Sequence, residues 1–313
     1  MENIENLKKY TVKDFNSALI LCKEIRKETN KRVLIEINES ETYGYFKFPY
    51  NNFVLKGIGK VIINGNRYSR QLNEEDHLLN TTWRTATLKI TGNNNTFINL
   101  TIKNTALNPA KKGQQIALGV YGDHNEFYSC KITSTTDTLF IGPLPEDLVK
   151  RYIDFIPEDE RMIEGNLFTY FNKCFIQGNI DFIFGAGQAY FNNCQIDSVE
   201  DMHFKSSFVT APAHSLIDPF GFLFYKCDFT SKTITSSRVY LSRPWRDFGK
   251  TAFINCKYGN HINSKGVINW SNTIRYLTAR YLEYPKKEKR AEFLKQLNEI
   301  PEIYLNIINK YKN

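Results

Sequence analysis

Two aspartates occupy the same place in two copies of one sequence frame. Asp137 stands seven residues after Cys130 and Asp181 seven after Cys174, and each opens an Asp-x-[Leu/Ile]-Phe run, "DTLF" and "DFIF". The second run lies in "GNIDFIFG" (178–185), where Ile180, Phe182, Ile183 and Phe184 read as a buried strand between glycines. An unpaired charge there is costly to desolvate. A single such residue is most simply a strand-end turn or cap. Two in one register, on neighbouring strands roughly 5 Å apart, resist ionising together, so their proton affinities separate. One stays anionic and can attack or act as a base; the other can hold a proton for a leaving group. Asp201 also falls seven residues after a cysteine, Cys194, but lacks the apolar sequel. Calcium wants several oxygen ligands and this register offers two, so no metal is expected.

Holding the pair together requires a repeating element, and the cysteines mark one. Five of the six share a frame: "EFYSCKI", "YFNKCFI", "YFNNCQI", "LFYKCDF" and "AFINCKY", with "TFINLTI" as an earlier copy carrying Leu100 at the cysteine place. The markers at 100, 130, 174, 194, 227 and 256 recur every 20 to 44 residues, the interval of a β-solenoid coil with insertions. Cysteine in such a frame packs as a small hydrophobe on its counterpart in the next coil. The expected fold class is all-β, a right-handed parallel β-helix. The gap between Cys130 and Cys174 holds an excursion, "IGPLPEDLVKRYIDFIPEDERMIEGN", expected to leave the coil beside the aspartates and wall a cleft.

The ends differ. "TVKDFNSALILCKEIRK" opens with Thr11 and Asp14 as a capping-box pattern, and Phe15, Ala18, Leu19, Cys22 and Ile25 follow helical spacing. The expected organisation is one domain: a helical cap over 1–30, coils over 31–275, and a helical extension over 276–313 broken at Pro301. The formal charge of +8 suits an anionic partner, but Lys and Arg are scattered and no nucleic-acid module appears. The basic run "PKKEKR" (285–290) reads as a polar helix face. No apolar stretch is long enough to span a membrane. The cysteines form no CxxC pair and the five histidines are dispersed, which excludes a zinc signature.

The chain resembles the pectin methylesterases, carbohydrate esterases of the right-handed β-helix type, from about residue 10 to 275. It is most like bacterial members with a long insertion after the first aspartate. "GNIDFIFG" resembles the family's nucleophile segment, "YLSRPW" (240–245) its Arg-Pro-Trp segment, "QQIALGVYGD" (114–123) its glutamine segment and "TDTLF" (136–140) its Gln-Asp-Thr-Leu-Tyr/Phe segment. The resemblance implies that Asp181 attacks the methyl-ester carbonyl of galacturonate and Asp137 is the acid and then the base. It further implies that Arg243 holds Asp181 ionised and Gln114 donates to the oxyanion. Trp245 and Phe184 would line sugar subsites, with Ile180 and Phe140 beside them. Thr136 departs from the pattern, standing where relatives have a second oxyanion glutamine. A hydroxyl donates one bond but reaches less far. The C-terminal part departs too, its usual Gly-Pro-rich sequel replaced by a Lys-rich tail.

The expected function is therefore hydrolysis of methyl-esterified polygalacturonate or oligogalacturonide, without a cofactor, by a monomer that engages neither nucleic acid nor membrane. The alternatives are a weakened or non-catalytic galacturonan-binding relative, motivated by Thr136, and a lyase or glycosidase on the same coil architecture. The missing apolar leader and the unpaired thiols point to the cytoplasm; secretion with the leader removed is the other expectation.

Overall fold

The computed structural model describes residues 4–312 apart from 75, 107–112, 152, 155, 157–160, 162–166, 202 and 204. Each cysteine frame bends at one point. The residue just before the marker (Asn99, Ser129, Lys173, Asn193, Lys226 and Asn255) adopts a left-handed backbone with φ between +51° and +55°. Asparagine tolerates that region better than most residues, and half of the six are asparagine. The bend splits the frame into two short strands, such as Asn125–Tyr128 and Lys131–Thr133, on different faces of the coil. A third strand per coil completes the turn, and every pairing between successive coils is parallel, as in Phe168–Asn172 on Gln188–Asn192. The chain is thus a right-handed parallel β-helix, the hand that right-twisted strands favour in crossovers.

The interior is columnar. Phe97, Phe127, Phe171, Phe191, Phe224 and Phe253, each three residues before a marker, stack ring on ring with centroids 4.5–5.4 Å apart and planes within 13°. Beside them runs the marker column. Cys130, Cys174, Cys194, Cys227 and Cys256 each direct Sγ to the carbonyl of the stacked phenylalanine in the preceding coil, at 3.3–3.5 Å. All six cysteines are unpaired and buried, and burial pushes the Cys130, Cys174 and Cys227 thiols well above their usual pKa.

Helix α1 (Phe15–Glu28) covers the first coil, burying Phe15, Ala18, Cys22 and Ile25 on the same core, as an open solenoid end requires. Its N-cap is Asp14, whose carboxylate accepts from the Ser17 N–H at 2.8 Å; Thr11 belongs to the strand Lys8–Val12 instead. The C-terminal part corrects the expected helical extension. Arg280–Tyr284 and Leu294–Gln296 are strands that add two more rungs, and only Glu302–Lys310, after Pro301, is a longer helix. That helix lies along the outside of the coils, with Tyr304 and Ile308 packed near Tyr170, Tyr190 and Leu223. The apolar spacing of "AEFLKQLNEI" suits a helix equally well. Ladder pairing holds Leu294–Gln296 as strand instead, with a buried ion pair beside it: Glu283 accepts both arms of Arg290 at 2.8 and 2.9 Å and the Gln296 amide at 2.8 Å, tying the last rungs together.

The third face matters for chemistry. It is a seven-stranded parallel sheet in which Phe46–Phe48, Leu88–Ile90, Leu118–Val120, Leu139–Ile141, Ile180–Gly185, Ser207–Pro212 and Val239–Ser242 follow in chain order.

Candidate active site

Asp137 and Asp181 sit at equivalent points of adjacent coils. Thr136 bridges to Ile180, Leu139 pairs with Ile183, and the Asp137 N–H donates to the Ile180 carbonyl at 3.0 Å. Both aspartates have a left-handed backbone, φ +51° and +48°. Between Ile180 and Ile183 the register with the next strand slips by one residue, a β-bulge at Asp181–Phe182. A bulge re-aims a side chain out of an otherwise regular ladder. Here it sends Asp181 to the outer face while Phe182 stays in the core. The flanking glycines are required. A Cβ on Gly178 would lie 2.3 Å from Phe182 Cβ, and one on Gly185, at φ +129°, would lie 1.9 Å from the Ile141 carbonyl oxygen.

Arg243 reaches Asp181 from two coils away. Its Nε donates to Oδ1 at 2.8 Å and its Nη2 to Oδ2 at 2.6 Å, a two-pronged fork lysine cannot reproduce. The guanidinium is itself clamped, 3.7 Å from the Phe208 ring centroid and 4.2 Å from that of Trp270. These contacts set the protonation order. Burial raises the Asp181 pKa and the Arg243 hydrogen bonds oppose it. Asp137 lies well above the usual carboxylate range, chiefly through burial and then through the negative charge of Asp181; Arg243 and the Thr136 hydroxyl oppose the shift. Asp181 therefore ionises first, and Asp137 keeps its proton while its partner is charged.

The pair opens into a cleft of about 570 Å³ whose lining includes Gln114, Thr136, Ile180, Phe184 and Trp245. The Gln114 Oε1 accepts from the Thr82 hydroxyl at 3.0 Å, which orients the amide and leaves its Nε2 to donate. Phe140 is the exception among the expected residues. It is fully buried and packs beneath Trp83 and Phe184, with ring centroids 5.3 and 5.2 Å away, so it supports the cleft floor instead of lining it. Asp201 also stays apart: its carboxylate accepts from the His203 N–H at 2.9 Å in a turn ahead of the strand Ser207–Pro212.

A pectinesterase family model matches residues 9–144 and 165–298. The chain belongs to the pectinesterase family. Among Arabidopsis thaliana relatives, probable pectinesterase/pectinesterase inhibitor 19 is 30% identical over 210 residues, covering 66% of this chain and 35% of that protein. Probable pectinesterase 30 is 28% identical over 242 residues, covering 75% and 42%. The chain thus spans less than half the length of these two relatives. Pectin methylesterase from carrot superposes with a TM-score of 0.74 at 22% identity, covering 94% of this chain and 88% of that one. The Yersinia enterocolitica pectin methylesterase also gives 0.74, at 20% identity and covering 96% and 99%. These structural matches establish the shared coil fold. A further solved neighbour is a pectin methylesterase in complex with hexasaccharide VII, at a TM-score of 0.72.

Within this family member, sequence reading missed one wall of the cleft: Ser69, Thr82 and Trp83 come from residues 66–85, where no cysteine frame guides alignment. Leu148, from helix α2 (Glu146–Arg151) of the excursion, lines it as well; much of the remaining excursion lies outside the described residues. One signal was present. The chain has three tryptophans, Trp83, Trp245 and Trp270, and all three line this cleft.

Proposed function

We propose that the chain hydrolyses methyl esters of galacturonate units in pectin or its oligomers, giving carboxylate and methanol. The observation that carries this reading is the in-register pair of Asp137 and Asp181, with the Arg243 fork on Asp181 alone. Family membership supports it, as does the hexasaccharide complex of a structural neighbour.

The chemistry follows from the protonation order. The Asp181 carboxylate, held ionised and aimed by Arg243, attacks the ester carbonyl carbon, and the carbonyl oxygen takes the π electron pair as an oxyanion. The Gln114 Nε2 stabilises that charge, with the Thr136 hydroxyl, a shorter side chain lining the same cleft, as a second donor. Protonated Asp137 delivers its proton as the carbon–methoxy bond breaks, and methanol departs. Asp137, now anionic, takes a proton from the water that attacks the acyl-enzyme. Asp181 is released and Asp137 regains its proton. Trp245, Phe184 and Ile180 present apolar surface to the sugar faces, with Trp83 and Trp270 beside them.

The test is product analysis on a methylated oligogalacturonide. The expected outcome is one methanol per carboxylate formed, with no ultraviolet-absorbing unsaturated ends and no new reducing ends. Unsaturated ends would mean a lyase, new reducing ends a glycosidase, and binding without methanol a galacturonan-binding protein; each would overturn the proposal.

A further inference from the structure

The cleft is held on one side by a contact that none of the residues assigned above provides. Arg246, next to Trp245, donates from Nε and Nη2 to the two carboxylate oxygens of Asp147 at 2.9 and 2.8 Å, across 99 residues of sequence. Asp147 sits in helix α2, directly before Leu148. The same guanidinium donates from Nη1 to the Trp245 carbonyl at 2.8 Å and lies 4.8 Å from the Trp245 ring centroid. Trp245 in turn meets Phe184 edge-on at 5.8 Å. One side chain thereby fixes the backbone and ring of a cleft tryptophan and ties them to the helix that supplies Leu148 to the cleft lining. Arg246 is not among the cleft-lining residues.

We propose that Arg246 is a positioning residue whose clasp on Asp147 sets the spacing between Trp245 and Leu148, and so governs how tightly the sugar chain is held without taking part in ester chemistry. The clasp lies toward the surface, with side-chain exposures of 22% for Arg246 and 45% for Asp147. Its strength is therefore that of a well-aligned surface pair, sensitive to salt. The fork still holds the Asp147 carboxyl below its usual pKa, with Arg246 the first cause. The dyad, the Arg243 fork and Gln114 make no bond to either member, so opening the clasp loosens substrate in the ground state and the transition state alike. That pattern raises KM and leaves kcat in place.

This inference rests on the esterase reading. The experiment measures methanol release from a methylated oligogalacturonide by wild type, Arg246→Ala, Asp147→Ala and the double variant, at low and high ionic strength. Each single variant is expected to raise KM about three- to fivefold with kcat within about twofold. The double variant is expected to resemble Arg246→Ala, because removing Asp147 breaks no further contact with a guanidinium already gone. Added salt should raise KM in wild type more than in Arg246→Ala. Additive single effects, a fall in kcat at unchanged KM, or equal salt dependence would overturn the clasp. If wild type itself releases no methanol, the esterase reading fails separately. The clasp is then read from the near-ultraviolet circular dichroism of the tryptophans. Arg246→Ala and Asp147→Ala should both alter the signal, Arg246→Ala at least as much, and an unchanged spectrum for Asp147→Ala would overturn it.

Discussion

The phenylalanine and cysteine columns and the aspartate pair are built from the same repeat and obey opposite rules. In the columns the six framed coils carry phenylalanine at one offset and cysteine, or Leu100 in the first, at another, each marker preceded by a left-handed residue, and the column side chains face inward. Seven residues past the marker, uniformity breaks. Two adjacent coils turn left-handed again at an aspartate, and a bulge directs Asp181 out of the coil core into the cleft. Sameness from coil to coil reports stacking; a paired departure from it reports chemistry. Removing a column residue should therefore cost stability without touching chemistry, and removing a site residue should do the reverse.

The largest effect is expected from Phe191→Ala, in the middle of the ring stack between Phe171 and Phe224. It should destabilise the fold by about 3–5 kcal/mol, measured by denaturant unfolding, while the remaining folded molecules keep wild-type turnover. A large loss of kcat in that folded fraction would break the division between the two regions. Gln114→Ala should lower kcat by roughly 10²–10³-fold and leave the unfolding midpoint nearly unchanged. Arg243→Lys keeps the charge but loses the fork and the clamp between Phe208 and Trp270. A loss of roughly 10² in kcat/KM is expected, with the acid limb of the pH–rate profile moved upward because Asp181 loses its stabilised anion.

The pH dependence sharpens the comparison further. Activity should rise as Asp181 loses its proton and fall again as Asp137 loses its own, both above the ordinary carboxylate range. Stability has a defined sign. Folding raises the Asp137 pKa, so its contribution is fully present below the unfolded carboxylate's pKa and is lost as pH rises through the folded value. Asp137→Asn should then melt higher than wild type above that window, by about 2–4 °C for each kcal/mol recovered, and show no advantage well below it. This is the smallest effect of the set, and its absence above that window would contradict the burial cost assigned to Asp137.

The sequence was most readable where the coil repeats. The frames gave the fold, and equal offsets gave the register of Asp137 on Asp181, because a one-residue slip would turn every side chain to the other face. Arg243 and Gln114 were reachable through family resemblance, not through spacing. Phe140 shares the outward face of Phe184, as its register predicts, but Trp83 packs over it, and the Asp-x-Leu-Phe pattern alone does not reveal that cover. The tail was misread because "AEFLKQLNEI" has helical apolar spacing, while its ladder pairing with the preceding rung and the Glu283 contacts to Arg290 and Gln296 are all non-local. The wall formed by Ser69, Thr82 and Trp83 has no repeat marker, and the Asp147–Arg246 contact joins residues too far apart for any local pattern to reveal.

The most direct test of the dyad is methanol release by wild type beside Asp181→Ala, with near-ultraviolet circular dichroism confirming that both are folded. Wild type should release methanol and Asp181→Ala should fall by at least about 10³-fold, as expected when a nucleophile is removed. Undiminished release by Asp181→Ala would contradict the assignment of this carboxylate as the attacking group.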